Sequence, residues 1–276
     1  MKILEIRSLT RVLMGLFIIV ALLLFLIPIF YMITSAFKKP IETFAYPPVW
    51  IFRPVFDNFI YAFQKLKILN YMRNSIIVAT TSALLALFVA FPAAYGLARI
   101  KFKGRNKLAI IFLMLQSIPT IAVVFAFFFL ARSLSLIDTR ILLIIAYLYW
   151  GVPYAIWQLR GYIMSIPIEI EEAALIDGCN QLLIPYIITL PLITPGLVAT
   201  AILVFITFWN EYVLAFFLTL KDAVTLPVST SLFMTHTEIL WGPMFATATL
   251  SALPVMVFVL IIRKYFVRSL TYGAIK

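Results

Sequence analysis

Acidic side chains that could bind a basic partner are concentrated in one short segment of a strongly basic chain. The whole chain has 22 Lys and Arg against 11 Asp and Glu, yet residues 160–178 contain one arginine and four acids, Glu169, Glu171, Glu172 and Asp177. An anionic membrane surface would not attract such a segment, whereas a basic protein surface would form strong charge-assisted hydrogen bonds with it. The pattern favours a protein-binding site, with the alternative that these acids only solvate a connecting loop.

The same segment has the local signals of a short helix. Pro167 suits a first helical turn, and the acids that follow complement the positive end of the helix dipole. Ala173 and Ala174 are good helix formers that let another backbone approach closely. Gly178 supplies a residue that can take the left-handed conformation in which helices end. A second short helix, ended or bent at Pro185, is expected to follow.

Side chains for catalysis or metal binding are scarce elsewhere. The chain has one cysteine, Cys179, and one histidine, His236, which excludes an internal disulfide and any ordinary zinc cluster. No G-x-x-x-x-G-K-[ST] phosphate loop occurs in the sequence. We therefore expect no catalytic residue, no metal and no cofactor in this chain. It is expected not to be an enzyme, so any energy it uses must come from a partner.

Two other groups of residues could contact a solute. Trp209, Asn210 and Glu211 combine an aromatic ring, an amide and an acid, which suits a sugar, although an interfacial aromatic belt is the commoner use of such residues. Gln116 precedes a helix-breaking Ser-Ile-Pro sequence. A buried amide there fits either a substrate pathway or a packing hydrogen bond between helices.

Composition indicates which elements must position these residues. Apolar residues make up 64% of the chain and charged residues 12%, against roughly 45–50% and 25% in soluble domains. About 20 apolar residues span a bilayer, and six stretches qualify. The sequence predicts an all-α, polytopic protein with a single membrane domain over residues 1–276 and a connecting loop at 165–186. The predicted spans are 12–37, 74–98, 108–131, 141–160, 187–210 and 240–262.

The basic residues indicate how the chain is oriented. Residues 99–107 place five Lys and Arg and no acid in a very short loop, where the positive-inside rule is most reliable. Both termini and the loop at 165–186 are therefore predicted to be cytosolic, although basic residues between the first two spans argue mildly for the reverse. This distribution explains the net charge of +11 better than nucleic-acid binding does.

The acidic segment resembles a known signature. Glu172-Ala173-Ala174, a glycine six residues after the glutamate, and then Ile188 with Leu190-Pro191 resemble the EAA motif of ABC importer permeases. Further stretches are similar to the carbohydrate-importer branch, in the group of the maltose system's shorter permease: Ala94-Tyr-Gly-Leu-Ala-Arg99, Trp209-Asn-Glu-Tyr212 and Leu226-Pro-Val228. Cys179, Leu183 and Pro185 depart from the usual pattern, and all three lie in the second half of the resembling segment.

The resemblance implies a type I importer permease fold whose cytosolic coupling helix, between the fourth and fifth helices, docks on a separate ATPase. The implied contact set is Glu169, Glu171, Glu172, Ala173, Ala174, Asp177, Gly178, Ile188, Leu190 and Pro191, with Glu172 as the main charged contact. Expected partners are ABC ATPase subunits that bind ATP and Mg, a second homologous permease and an extracellular or periplasmic solute-binding protein.

The resemblance further implies that a mono- or oligosaccharide crosses the cell membrane by alternating access, coupled to ATP hydrolysis in the partner. The alternative is a secondary transporter or channel for a small neutral solute. Dependence of uptake on ATP rather than on an ion gradient discriminates between them.

Overall fold

The computed structural model describes residues 2–234 and 238–272, so His236 lies outside the described part. These residues form helices, with β-structure limited to an isolated bridge between Met234 and Ile239. The all-α prediction is confirmed. The elements are α1 (Lys2–Ala36), α2 (Pro40–Thr43), α3 (Asp57–Lys65), α4 (Ile68–Arg99), α5 (Arg105–Leu115), α6 (Thr120–Ser133), α7 (Arg140–Met164), α8 (Ile168–Ile176), a π-helix (Pro185–Thr189), α9 (Leu190–Leu192), α10 (Thr194–Trp209), α11 (Val213–Leu218), α12 (Leu226–Ser229), a 3-10 turn (Thr230–Phe233) and α13 (Trp241–Tyr272).

Within residues 2–234 and 238–272, four unbroken helices and two bent pairs are apolar and long enough to cross a membrane. The unbroken spans lie in α1, α4, α7 and α13, and counting each bent pair as one span gives six, the number predicted. The pair α5–α6 bends by 89°, and the π-helix with α9 bends by 76° against α10. Pro119 and Pro195 lie at these bends. Proline has no amide hydrogen for the carbonyl four residues earlier, so a regular helix is interrupted there.

The described residues pack as two compact units. One contains residues 2–68, 230–234 and 238–250, and the other contains 69–229 and 251–272. In the second unit, one face of α4 consists of small buried residues three and four positions apart. Small side chains on one face allow another helix to approach closely. These residues are Ala79, Ala83, Ala86, Ala90 and Ala94.

Two glycines, one on α7 and one on α10, allow these helices to pack in close contact. A Cβ atom on Gly151 would collide with the ring of Phe208, and one on Gly196 would collide with the ring of Tyr162. Phe208 also stacks on Tyr147 with ring centroids 5.3 Å apart. Small residues at such contacts are the usual way for membrane helices to gain van der Waals packing.

The first unit holds a buried lysine at the end of α1. Lys38 is 2% exposed, and its Nζ lies 5.4, 5.8 and 5.1 Å from the ring centroids of Tyr31, Trp50 and Phe52. Asn58 on α3 donates its amide to the carbonyl oxygens of Ala36 and Lys38, both at 2.9 Å. Cation–π attraction thus stabilises a charge whose burial would otherwise be costly.

Candidate coupling site and solute cavity

The acidic segment forms a helix of two and a half turns, α8, that presents most of its acids outward. Pro167 is its N-cap residue. Glu169, Glu172 and Ala173 are exposed, while Ala174 is half-buried. The outward face therefore combines two exposed carboxylates with a low alanine surface.

Gly178 ends α8 as predicted. Its φ is +86°, and a Cβ there would meet open space, so the backbone conformation and not crowding requires glycine. The amide of Gly178 donates to the carbonyl of Leu175 at 3.1 Å, and that of Cys179 donates to the carbonyl of Ala174 at 2.9 Å. This pair of bonds is a Schellman motif, and Asp177 is the helical C-cap residue just before it.

Glu171 points the opposite way from its acidic neighbours and is 6% exposed. Its Oε1 accepts hydrogen bonds from Arg99 Nε at 2.9 Å and from Thr189 Oγ1 at 2.8 Å. Its Oε2 accepts one from Tyr95 Oη at 3.0 Å. A buried carboxylate needs partners of this kind because its desolvation is costly. The structure therefore places Glu171 on the internal side of α8, although the sequence analysis grouped it with the residues that contact a partner.

Two arginines tie the end of α4 to the entry of α8 and to the preceding helix α7. Arg99 Nη2 donates to the carbonyl of Ile166 at 2.9 Å, and Arg160 Nε donates to the carbonyl of Leu97 at 3.3 Å. Arginine suits this role because its fork of donors can serve a side chain and a backbone carbonyl together. The segment before α8 is thus tied to a membrane helix.

The second short helix differs from the prediction. Residues 181–183 form a turn, and Pro185 begins the π-helix at Pro185–Thr189 instead of ending an earlier helix. Proline fits a first helical turn because the amide it lacks has no partner there. Ile188 and Leu190 are half-buried and Pro191 is exposed, and Thr189 is fully buried.

Sequence analysis missed the three partners of Glu171. In the sequence, Tyr95 and Arg99 stand out only as part of a stretch that resembles the family, and Arg99 also belongs to the basic run that predicts the topology. Thr189 lies inside the resembling motif without an assigned role. Only the spacing of Tyr95 and Arg99, four residues apart and so on one helix face, could have marked them as a pair.

A second candidate site is a cavity of about 120 Å³ among α6, α7, α10 and α11. Its wall mixes aromatic rings with hydroxyl groups and one carboxylate. The lining residues are Thr120, Tyr147, Tyr149, Trp150, Thr207, Phe208, Glu211 and Leu214.

Of the residues predicted for a solute pathway, Glu211 lines this cavity, whereas Gln116, Trp209 and Asn210 are not among its lining residues. Glu211 lines the cavity, and its carboxylate also accepts the amides of Leu214 and Ala215 at 2.8 and 3.1 Å. Trp209 is 1% exposed and its Nε1 donates to the carbonyl of Ser251 at 2.9 Å, so the indole packs in the core and is neither a cavity wall nor part of an interfacial belt. Asn210 is exposed. Gln116 caps α5 at the bend, with its amide nitrogen buried.

An aspartate outside the spans anchors the segment that follows α11. Asp138 has a φ of +62°, and its carboxylate accepts four backbone amides, those of residues 220–223, at 2.9–3.0 Å. Asn74 donates to the carbonyls of Asp222 and Val224 in the same segment. Partial burial acts to raise the pKa of the Asp138 carboxyl, but the four amide donors outweigh it, and that pKa is lowered.

Replacing Asp138 with asparagine is expected to lower the thermal stability of the purified protein at neutral pH by about 2–4 °C. Asparagine keeps the shape but turns an amide group toward backbone donors. Because the native pKa lies below the unfolded value of about 3.9, the wild-type advantage is complete above that value and is lost as the pH falls through the native pKa. Thermal melts across acidic pH check this. Asp222→Asn is the matched control, because Asp222 is an exposed acid in the same segment. If the difference in melting temperature between the wild type and Asp138→Asn did not narrow on acidification, the assignment would be contradicted.

Comparison with known proteins identifies relatives along nearly the whole chain. The model of a family described as "Binding-protein-dependent transport system inner membrane component" matches residues 84–272. The trehalose/maltose transport system permease protein MalG of Thermococcus litoralis is 34% identical, over 97% of this chain and 98% of that protein. The diacetylchitobiose uptake system permease protein DasC of Streptomyces coelicolor is 31% identical, over 90% and 91%. A bacterial ABC transporter involved in alginate import has a chain of similar fold, with a TM-score of 0.77, 22% identity, and 94% of this chain and 97% of that chain covered.

Proposed function

Because the chain belongs to the family of binding-protein-dependent transport system inner membrane components, we propose that it is a permease subunit of an ATP-driven importer for a mono- or oligosaccharide. The protein is a multi-pass membrane protein, and both termini and α8 lie in the cytosol. The observation that carries the proposal is α8 itself. This short helix between the fourth and fifth spans is held internally by Glu171 and presents exposed acids outward.

The outward face of α8 docks on an ABC ATPase subunit. Glu172 forms the main charged contact with a basic residue of that subunit, and Ala173 lets the two backbones approach closely. ATP and Mg bind in the ATPase and not in this chain, which is therefore not itself an enzyme. Glu169 adds a second exposed carboxylate one turn earlier. When the ATPase subunits close, α8 moves with them, and the membrane helices rock between outward- and inward-facing states.

The transported solute is a sugar. The two relatives above carry names that refer to trehalose, maltose and diacetylchitobiose, which supports this class without naming one solute. The cavity beside Glu211 fits it chemically, since aromatic rings stack on sugar faces while hydroxyls and a carboxylate bind sugar hydroxyls. Its 120 Å³ is below the roughly 300–1,000 Å³ of typical ligand pockets, so we propose that it encloses only one end of the solute.

A second, homologous permease and a solute-binding protein complete the assembly. The family description itself refers to a binding protein. The apolar helix α1 favours a companion permease, because its side chains from Leu13 to Phe30 are almost all exposed within this chain. Lipid and a neighbouring subunit together cover such a surface.

Replacing Thr207 with valine tests the cavity. Valine keeps the shape and removes a hydroxyl that a sugar can bind, so uptake is expected to fall about three- to tenfold, the effect of one neutral hydrogen bond. Thr200→Val is the matched control. Thr200 lies two turns earlier on α10 and also donates to the carbonyl four residues before it, but it does not line the cavity. Equal rates of sugar uptake in the two variants would exclude Thr207 as a solute contact.

The function is tested by reconstituting the permease pair, the ATPase and the binding protein in liposomes that contain ATP. Uptake of a sugar that saturates the binding protein should require ATP and should persist when ion gradients are collapsed. Uptake that instead followed an ion gradient without ATP would support the alternative, a secondary transporter or channel.

A further inference from the structure

We infer that the Glu171 carboxylate is a positioning junction that joins α8 to the second and fifth spans, so that a displacement of α8 reaches both helices through one side chain. The inference rests on the function proposed above. It adds a division of labour within α8, in which Glu172 contacts the ATPase and Glu171 transmits the movement.

The first argument is the geometry of the carboxylate. One oxygen of Glu171 is shared by Arg99 Nε at 2.9 Å and Thr189 Oγ1 at 2.8 Å, and the other is bonded by Tyr95 Oη at 3.0 Å. Three donors from two other segments thus converge on one acceptor group. Several donors that converge on one buried acceptor group fix its position, so the arrangement is specific.

The second argument is where these donors lie along the chain. Arg99 is the last residue of α4, and Tyr95 lies one turn earlier on the same helix face. Thr189 is the last residue of the π-helix that continues through α9 to α10. The carboxylate therefore reaches the end of one span and the beginning of another, and π-helical turns are frequent at functional positions in helices.

The third argument is burial. The side chains of Arg99 and Glu171 are 11% and 7% exposed, and Thr189 is fully buried. Charge-assisted bonds shielded from water are stronger and less easily exchanged for water than surface pairs. A pull on α8 is therefore transmitted to its partners and does not simply detach the helix.

The fourth argument is the orientation of neighbouring acids. Successive residues of an α-helix are 100° apart, so Glu171 and Glu172 cannot face the same surface. Glu172 is exposed whereas Glu171 is buried. Docking and transmission are therefore carried by adjacent residues of the same type on different faces of one helix.

The test uses the complete complex in liposomes with the variant Glu171→Gln. Three quantities are measured: the ATPase subunits retained on purification, the ATP hydrolysis stimulated by the sugar-loaded binding protein, and the sugar imported per ATP hydrolysed. We expect the ATPase to be retained and the sugar imported per ATP to fall about tenfold, the effect of losing one charge-assisted hydrogen bond. A purely structural defect would lower the amount of complex without changing this ratio.

Tyr95→Phe and Thr189→Val each remove one donor and are expected to lower the ratio in the same direction by a smaller factor. They carry the test if Glu171→Gln does not assemble. Tyr186→Phe is the control, since Tyr186 is 52% exposed and its ring contact with Phe91 survives the loss of the hydroxyl.

If all three junction variants imported as much sugar per ATP as the wild type, the proposed role of Glu171 would be wrong. The proposed function would stand in that case, provided that the wild-type complex imports sugar with ATP. Absence of ATP-dependent import by the wild-type complex would instead overturn the function and the junction with it.

Discussion

Replacing Glu172 with lysine is expected to abolish ATP-driven uptake and to release the ATPase subunits, while the permease stays in the membrane. Glu172 is exposed on α8, so the permease loses no internal contact, and surface substitutions usually change stability by less than about 0.5 kcal/mol. At the docking face the substitution reverses a charge opposite a basic surface, which turns an attraction into a repulsion.

Uptake, ATPase co-purification and the amount of permease in membranes are measured on the same preparations. Asp57→Lys is the control, because it reverses the charge of an exposed acid on α3, outside the coupling site. If Glu172→Lys complexes hydrolysed ATP normally in response to the loaded binding protein, the docking assignment would be wrong.

Replacing Arg99 with methionine is expected to destabilise the permease by roughly 3–5 kcal/mol, the usual cost of removing one partner of a buried ion pair. The Glu171 carboxylate, 7% exposed, would retain only the hydroxyl donors of Tyr95 and Thr189 and no positive charge. The carbonyl of Ile166 would also lose its donor. Thermal or denaturant unfolding of the solubilised protein measures the effect.

The double variant Arg99→Met with Glu171→Gln provides the decisive control for this prediction. Removing both charges avoids an uncompensated buried carboxylate. The double variant is therefore expected to lose less unfolding free energy than the two single variants together, by about 0.5–3 kcal/mol. Lys101→Met removes an exposed basic residue close by and is expected to have little effect. Strict additivity of the single losses would show that the two charges do not interact.

Local chemistry was sufficient to predict both ends of α8. Pro167 and Gly178 act through backbone restrictions that depend only on the residue and its immediate neighbours. The number of spans was predictable for a similar reason, since bilayer thickness sets the length of an apolar segment. The prediction for Pro185 is wrong because proline is found both just after the end of a helix and in the first turn of the next one. The local sequence does not distinguish these two positions.

The roles of Glu171 and Trp209 could not be predicted because they depend on residues far away in the chain. Glu171 and Glu172 are adjacent and chemically identical. They differ in that Glu171 meets donors from Tyr95, Arg99 and Thr189, which lie 76, 72 and 18 residues away. Trp209 has the composition of an interfacial residue, but its partner Ser251 lies 42 residues later. Such pairings follow from helix packing and leave no local pattern.

The aromatic enclosure of Lys38 gives two adjacent amines very different chemical reactivity. Acylating reagents attack amines that solvent can reach. Lys39 is exposed whereas Lys38 is 2% exposed and surrounded by three rings. The reactive amine of Lys39 therefore serves as an internal reference for the protected amine of Lys38, its neighbour in the chain. A rise in acylation of Lys38 relative to Lys39 would report local opening of this unit before the rest of the protein unfolds.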